Sequence, residues 1–347
     1  MKKIIPLLLL IILSCKSNKE TEEKSNSNIN ATDAKNSFTI AFGSCNHQNT
    51  PNELWDDILK NDPDIWIWGG DIIYADTEDM KLMQSHYNVL KNNKDYQDFI
   101  SKVEVLATWD DHDYGKNDAG IEFVKKDSAQ QLFLDFIDIN QEDLRRKREG
   151  VYHAKTYTID DKSVKVLLLD TRYFRTALIK DPTGVKRYIP SKDSSGTILG
   201  NTQWQWLNKE LTNSKADFNI IVSSIQFLSS EHGWESWGNM PNEVEKLKDL
   251  IASSNAHNTI ILSGDRHIAE ISKMEYNGLK YPLYDITSSG LTHVYESYTH
   301  EPNKYRISEV IKEINFGILK FNFDTNTVEM EIRGNDNVML ENIIQKY

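Results

Sequence analysis

The chain has 347 residues and a mass of 40.1 kDa, enough for one large α/β domain or two smaller domains. Hydrophobic residues make up 39% and charged residues 27%, with 16 Gly and 8 Pro, which excludes collagen-like, disulfide-scaffold and wholly disordered proteins. The formal net charge of -12 argues against a general duplex-binding surface, so we expect no stable nucleic-acid partner.

Residues 1–14 have the pattern of an export signal. Two lysines precede the apolar run Ile4–Leu13, which is too short to span a bilayer, and Ser14 then precedes Cys15. This pattern resembles a bacterial lipoprotein signal and implies cleavage before Cys15 and lipidation of that residue. A plain secretory signal with an incidental cysteine is the alternative. We therefore expect an exported cell-envelope lipoprotein, anchored to the membrane and facing either the periplasm or the outside.

Residues 15–37 have the composition of a flexible polar tether, because they offer almost nothing to bury. The folded domain is expected over residues 38–347. If Cys15 is lipidated, Cys45 is the one thiol left in an exported protein. Cys45 is then either a buried small hydrophobe or a metal-bound thiolate.

From residue 38 onward, short apolar runs alternate with helical patterns, which is typical of an α/β fold. The predicted strands cover residues 38–42, 64–68, 103–108, 164–169, 218–222 and 259–262. The predicted helices cover residues 52–60, 203–213 and 242–253. Four further strands, at 271–276, 284–287, 317–323 and 328–332, predict a second sheet that closes the same domain.

Polar side chains follow six of these strands directly, and they include Cys, Asp, His, Arg and Gln. Ligands of open α/β sheets collect at the carboxyl ends of strands. The sequence therefore predicts that these side chains meet at one rim.

Three of the strand-end blocks match, in order and context, those of the calcineurin-like metallophosphatases: GDIIY at 70–74, DHD at 111–113 and GDRH at 264–267. More closely, eight blocks resemble the alkaline phosphatase D (PhoD-like) family: FGSC, WGGDIIYAD, ATWDDHDYG, LDTRYFR, LGNTQWQWL leading to SSIQ, ESWGNMPNE, LSGDRH and ITSSGLTH. The resemblance covers essentially all of residues 38–347. It implies a four-layer α/β/β/α sandwich, with two mixed sheets flanked by helices.

Hydrolysis of a phosphate ester needs charge neutralisation, a hydroxide nucleophile and a proton for the leaving oxygen, and paired metal ions supply the first two. An Asp that follows a strand can bridge two cations, and Asp71 is the candidate for this role.

The resemblance also implies the metal ligands. Cys45 and Tyr74 would bind Fe³⁺ together with a carboxylate, and Ca²⁺ would be the companion ion. Asp111 takes the position of the family's Asn, with Asp110 as the fallback if the register slips by one. Asp265 and His267 complete the set. If Cys45 is only a buried hydrophobe, Zn²⁺ or Mn²⁺ replaces iron.

Three further residues are assigned to catalysis or to the substrate. His112 is the candidate that protonates the leaving group or stabilises the transition state. Arg172 either forks onto a phosphate oxygen or pairs with Asp170. Gln226 either ligates a metal through its amide oxygen or orients water. Trp234 and Trp237 lie in a loop that we expect at the substrate entrance.

These assignments predict a metal-dependent phosphoesterase, expected to be a monomer and active on small phosphate monoesters, diesters or both. A phospholipase-type diesterase acting on lipid head groups would use the same residues. A non-catalytic lipoprotein that captures phosphorylated ligands is the competing class.

Overall fold

The computed structural model describes residues 36–192 and 194–347. The predicted signal peptide, Cys15 and the tether up to residue 35 lie outside these residues. Within the described ranges, no helix has both the length and the apolar character needed to cross a membrane.

The described residues form fourteen strands and seven α-helices. The strands are β1 (Ser37–Gly43), β2 (Ile65–Gly69), β3 (Glu104–Thr108), β4 (His153–Ile159), β5 (Lys162–Leu168), β6 (Ile179–Lys180), β7 (Tyr188–Ile189), β8 (Phe218–Val222), β9 (Thr259–Ser263), β10 (Ala269–Met274), β11 (Leu283–Ser288), β12 (Phe316–Asn322), β13 (Thr327–Arg333) and β14 (Met339–Lys346). The helices are α1 (Trp55–Leu59), α2 (Met80–Lys91), α3 (Lys94–Ile100), α4 (Asp111–Tyr114), α5 (Lys126–Phe136), α6 (Gly200–Thr212) and α7 (Pro241–Ser253).

Two six-stranded mixed sheets form the centre of the fold. The first sheet has the order β14-β13-β12-β1-β2-β3, in which β1, β2 and β3 are parallel and the other pairs are antiparallel. The second has the order β10-β11-β9-β8-β5-β4, with β11, β9, β8 and β5 parallel. Strands β6 and β7 form a separate antiparallel hairpin.

Successive side chains of each strand point to opposite faces of its sheet, and this alternation separates three apolar cores. Side chains such as Ile40 and Ile67 of the first sheet meet Ile220 of the second between the two sheets. The opposite face of the first sheet, which includes Trp66 and Trp68, packs under α1, α2, α3 and α5. The opposite face of the second sheet packs under α6 and α7. This arrangement confirms the predicted α/β/β/α sandwich.

The prediction that the late strands form a sheet of their own is wrong. Strands β10 and β11 extend the second sheet beside β9, whereas β12 and β13 extend the first sheet beside β1. The pairing of Phe38 with Phe321 shows how distant these partners are in the sequence. Both sheets are mixed: the first adds antiparallel β12, β13 and β14 to parallel β1, β2 and β3, and the second has antiparallel β4 and β10 at the edges of four parallel strands.

Candidate metal centre and active site

The carboxyl ends of β1, β2, β3 and β9 meet at one rim of the two sheets, as the strand-end pattern predicts. Among the described residues, four groups of side chains able to ligate a metal have their ligand atoms within 4.8 Å of one another. The groups are Cys45, Asp71 and His267; Asp71, Asp111 and His112; Asp110, Asp111 and Asp265; and Asp111, Asp118 and Glu235. Asp71 belongs to two of the groups and Asp111 to three, so both lie where a bridging ligand would lie.

Cys45, Tyr74 and His267 surround one side of Asp71. The Cys45 Sγ lies 3.5 Å from the Asp71 Oδ2, and the Tyr74 hydroxyl lies 3.3 Å from the same oxygen. The Tyr74 Oη and the His267 Nε2 are 2.9 Å apart. Burial, with help from His293, lowers the pKa of His267 to about 3, so its ring is neutral and free to ligate. Sulfur, phenol, carboxylate and imidazole together form a donor set that suits a transition metal.

Asp110 and Asp111 lie on the other side of Asp71, and both reach the site. Asp111 accepts hydrogen bonds from the Asn117 side chain at 2.9 Å and from the Asp118 backbone N–H at 2.6 Å. The Oδ1 of Asp110 accepts from the Ser224 hydroxyl at 2.6 Å. Its Oδ2 is buried and has no hydrogen-bond partner. Such an oxygen carries a desolvation cost of about 1–3 kcal/mol unless something binds it, which makes Asp110 a candidate ligand.

Electrostatics at the rim also favours cations. Burial raises the pKa of the Cys45 thiol and of the Tyr74 phenol well above their usual values, and the Asp71 carboxylate adds to both shifts. Burial and repulsion from Asp111 likewise raise the pKa of Asp71, and they bring that of Asp265 to about 8. The anionic forms of these four side chains are unfavourable because the side chains lie close together and away from water. A bound cation would reverse that balance, so the residues present fit metal ions.

The backbone turns sharply where these ligands leave their strands. Cys45, Asp71, Asp265 and His267 all adopt positive φ angles, between 51° and 69°. Residues other than glycine avoid this region, and such strain concentrates at functional sites. Gly70, with φ of 98°, precedes Asp71, and a Cβ there would lie 2.5 Å from the Asp110 Cβ. The turn after β2 therefore needs glycine at position 70 so that Asp110 can lie close to the backbone beside Asp71.

His112 lies beside the cluster and lines a cavity of about 210 Å³ that opens to solvent. Its Nδ1 is 2.6 Å from the Asp76 Oδ2. Burial opposes the charged imidazolium, but Asp71, Asp111 and the Asp76 hydrogen bond outweigh it and raise the pKa of His112 to about 11. Asp76, which the sequence analysis did not assign, closes the WGGDIIYAD block and orients this ring.

Arg172 does not lie on the cavity. Its side chain is fully buried and forms ion pairs with Asp110 and with Glu235, the latter at 2.6 Å. The expected alternative partner, Asp170, instead accepts the Arg172 backbone N–H at 2.9 Å. In this position the guanidinium holds the Asp110 carboxylate through a buried ion pair and does not face solvent.

Gln226 is also buried and does not line the cavity. Its Nε2 donates to Glu270 at 2.8 Å and to the Thr287 hydroxyl at 2.9 Å. Trp234 lines the cavity, whereas Trp237 is buried in the core under α6 and α7 and donates to the Ser223 hydroxyl. Only Trp234 of the two tryptophans therefore faces the cavity, and a substrate entrance there stays a prediction.

The cavity walls contain residues that sequence reasoning missed. Arg187, Arg266 and Tyr295 line it together with His112 and Trp234. Arg266 stands inside the GDRH block, so the motif itself could have indicated it, whereas Arg187 lies outside every recognised block. A larger cavity of about 440 Å³ lies at the amino end of β9, and none of the candidate site residues lines it.

Comparison with known proteins agrees with this fold. A family model described as PhoD-like phosphatase matches residues 83–335. Alkaline phosphatase D of Bacillus subtilis is 25% identical over an alignment of 213 residues, which covers 53% of this chain and 36% of that relative. The chain thus aligns with little more than a third of the relative's length.

Solved structures share the fold. A structure titled as PhoD superposes with a TM-score of 0.68 at 18% identity and covers 89% of this chain and 68% of that chain. A dimetal phosphatase from Danio rerio superposes with a TM-score of 0.54 at 12% identity, covering 89% of this chain and 99% of the other. The matching family model spans well over half of the sequence, and the chain belongs to the PhoD-like phosphatase family.

Proposed function

We propose that the protein is a metal-dependent phosphoric ester hydrolase that acts on small phosphate monoesters, diesters or both. The observation that carries the proposal is the clustering of Cys45, Asp71, His267, Asp111 and Asp265 around one rim, directly beside the cavity that His112 lines. Family membership supports the same reaction class.

The proposed metals are Fe³⁺ and Ca²⁺. Cys45, Tyr74 and His267 would hold iron, because sulfur and phenol oxygen donate charge to it. Asp110, Asp111 and Asp265 would hold Ca²⁺, which prefers oxygen ligands, and Asp71 would be shared. Metal ions held by these residues would stabilise the phosphate charge as Lewis acids and would lower the pKa of water toward neutral pH. A site occupied by Zn²⁺ or Mn²⁺ is the alternative.

His112 is the proposed proton donor to the leaving oxygen. A hydrogen bond between its Nδ1 and the Asp76 carboxylate fixes the orientation of the ring. The Nε2 is then left to donate a proton to the leaving oxygen. Cations at the neighbouring carboxylates would lower the pKa of His112 from about 11 toward the range where a proton is readily given up. Asp76 acts through His112 and is a positioning residue.

A hydrolysis assay tests the proposal. The purified protein, supplied with iron and calcium, is expected to turn over an aryl phosphate monoester, a diester or both, and a chelator should abolish that turnover. Lack of chelator-sensitive turnover on either ester would favour the non-catalytic binding protein. Vesicles of phospholipid as a third substrate distinguish the phospholipase-type activity, which shares these residues.

We also propose that the protein is an exported lipoprotein held at a bacterial membrane through Cys15, and that it acts as a monomer without nucleic-acid partners. The charged start, the apolar run Ile4–Leu13 and Ser14-Cys15 support the anchor. Two or three acyl chains at Cys15 would give stable attachment. Cys15→Ala should move the protein out of the membrane fraction or leave it unprocessed. Unchanged fractionation would contradict the anchor.

A further inference from the structure

The active-site cavity has two arginines in its walls, and they differ in how firmly they are held. Arg266 has a side chain only 7% exposed, and its Nη2 lies 2.8 and 2.7 Å from the two carboxylate oxygens of Glu301. Arg187 has a side chain 43% exposed. Arg187 therefore has the accessible guanidinium of the two.

Two further arginines, Arg172 and Arg175, are held in buried ion pairs and do not line the cavity. Arg172 pairs with Asp110 and Glu235, and Arg175 pairs with Glu235 at 2.9 Å, with all four side chains at most 1% exposed. Breaking a buried pair leaves an uncompensated charge away from water, so these guanidinium groups stay in place. Of these arginines, only those in the cavity wall can therefore pair with an incoming anion.

Arg187 is presented to the cavity by an anchored segment. It immediately precedes Tyr188, the first residue of β7, whose backbone N–H donates to the Gly233 carbonyl at 2.9 Å. The Tyr188 hydroxyl donates to the Asp118 Oδ2 at 2.7 Å. The guanidinium of Arg187 lies 5.8 Å from the ring centre of Trp234 and forms an ion pair with Asp118. Only the side chain of Arg187 has to move for it to change partners.

We infer that Arg187 binds the phosphate group of the substrate, and that it exchanges the Asp118 carboxylate for phosphate oxygens when the ester enters. Arg187 gives up this ion pair and its hydrogen bonds to the Asn117 Oδ1 and the Tyr188 hydroxyl. Because Asp118 is only 12% exposed, the exchange costs more than breaking a surface ion pair, and charge-assisted hydrogen bonds to the phosphate have to offset that cost. A guanidinium forks onto phosphate oxygens as well as onto a carboxylate. Asp118 stays in place when Arg187 leaves, since Tyr188 still donates to its side chain and its own N–H donates to Asp111.

The proposal rests on the proposed function for the identity of the ester, but phosphate binding tests it separately. Binding of inorganic phosphate to the metal-loaded protein is measured by calorimetry for the wild type, Arg187→Gln and Arg187→Lys. Lys186→Gln is the matched control, because Lys186 lies in the same hairpin and its Nζ contacts the Glu231 carbonyl outside the cavity.

Arg187→Gln should weaken phosphate binding about 10- to 100-fold, the range for one charge-assisted hydrogen-bond pair. Arg187→Lys should recover part of that loss, since it restores the charge without the fork. In the ester assay, the KM of Arg187→Gln should rise by the same factor while its kcat changes less. Lys186→Gln should match the wild type in both measurements.

Equal phosphate affinity in the wild type and Arg187→Gln, including no binding by either, overturns the proposal. The same holds if Lys186→Gln weakens binding as much as Arg187→Gln. A wild-type protein that binds phosphate through Arg187 but hydrolyses no ester supports the proposal and contradicts the proposed function. Hydrolysis that is insensitive to Arg187→Gln contradicts the proposal and leaves the function intact.

Discussion

Replacing Arg172 by methionine tests whether this residue braces the site or binds substrate. The guanidinium is fully buried between Asp110 and Glu235, and methionine fills much of the same space without charge. Asp110 then loses its ion-pair partner away from water, whereas Glu235 keeps Arg175, and a broken buried pair costs about 3–5 kcal/mol. With an unfolding entropy of about 2.1 cal/mol/K per residue over about 310 residues, the thermal midpoint should fall by about 5–8 °C.

Thermal unfolding of the wild type and Arg172→Met, each stripped of metal, measures this loss. Lys102→Gln breaks the exposed pair with Asp98 and should change stability by less than about 1 kcal/mol. The double variant Arg172→Met/Asp110→Asn should lose less than the sum of the single losses, because it removes the carboxylate that Arg172→Met leaves unpaired. Wild-type stability in Arg172→Met, with a raised KM and unchanged kcat, would contradict the structural role of Arg172. It would favour the alternative in which its guanidinium binds a phosphate oxygen.

Two other substitutions probe the turn after β2 and the proton donor. Gly70→Ala places a Cβ 2.5 Å from the Asp110 Cβ, so metal content and turnover should both fall; Gly184→Ala, also at positive φ but with no atom within 4 Å of its Cβ, should change stability alone. Equal metal content in the two alanine variants would contradict the crowding explanation. His112→Asn should retain its metal and lose about 10²- to 10⁴-fold in kcat, the contribution of a positioned acid, with Asp76→Asn losing less. An unchanged kcat in His112→Asn would remove this residue from the proton-transfer step.

The strands that position the site were predictable because each is a short buried apolar run with a polar residue directly after it. Strand β8, for example, covers Phe218–Val222, as predicted. Helices α2, α3, α4 and α5 and strands β4, β6, β7 and β14 were not predicted. Sheet membership of the late strands was wrong because local alternation shows which face is buried and not which distant strand is the neighbour.

Some residues of the candidate site could be predicted from the sequence, and others could be recognised only in the folded chain. Cys45, Asp71 and Asp265 lie in sequence blocks whose order indicates their meeting point. The role of Arg172 depends on Glu235, which lies 63 residues away in the chain, so nothing local distinguished bracing from substrate binding. Arg187 lies in a short exposed hairpin outside the recognised blocks, and only the folded chain brings it to the cavity.

The central claim is that Cys45 and Tyr74 take part in a metal centre needed for ester hydrolysis. The most direct test is the metal content, visible absorption and turnover of the purified wild type beside Cys45→Ser. Serine replaces a soft anionic sulfur by a weak neutral oxygen, so we expect iron occupancy, colour and rate to fall together. Full iron content, colour and rate in Cys45→Ser would contradict the account and leave Cys45 as a buried small hydrophobe.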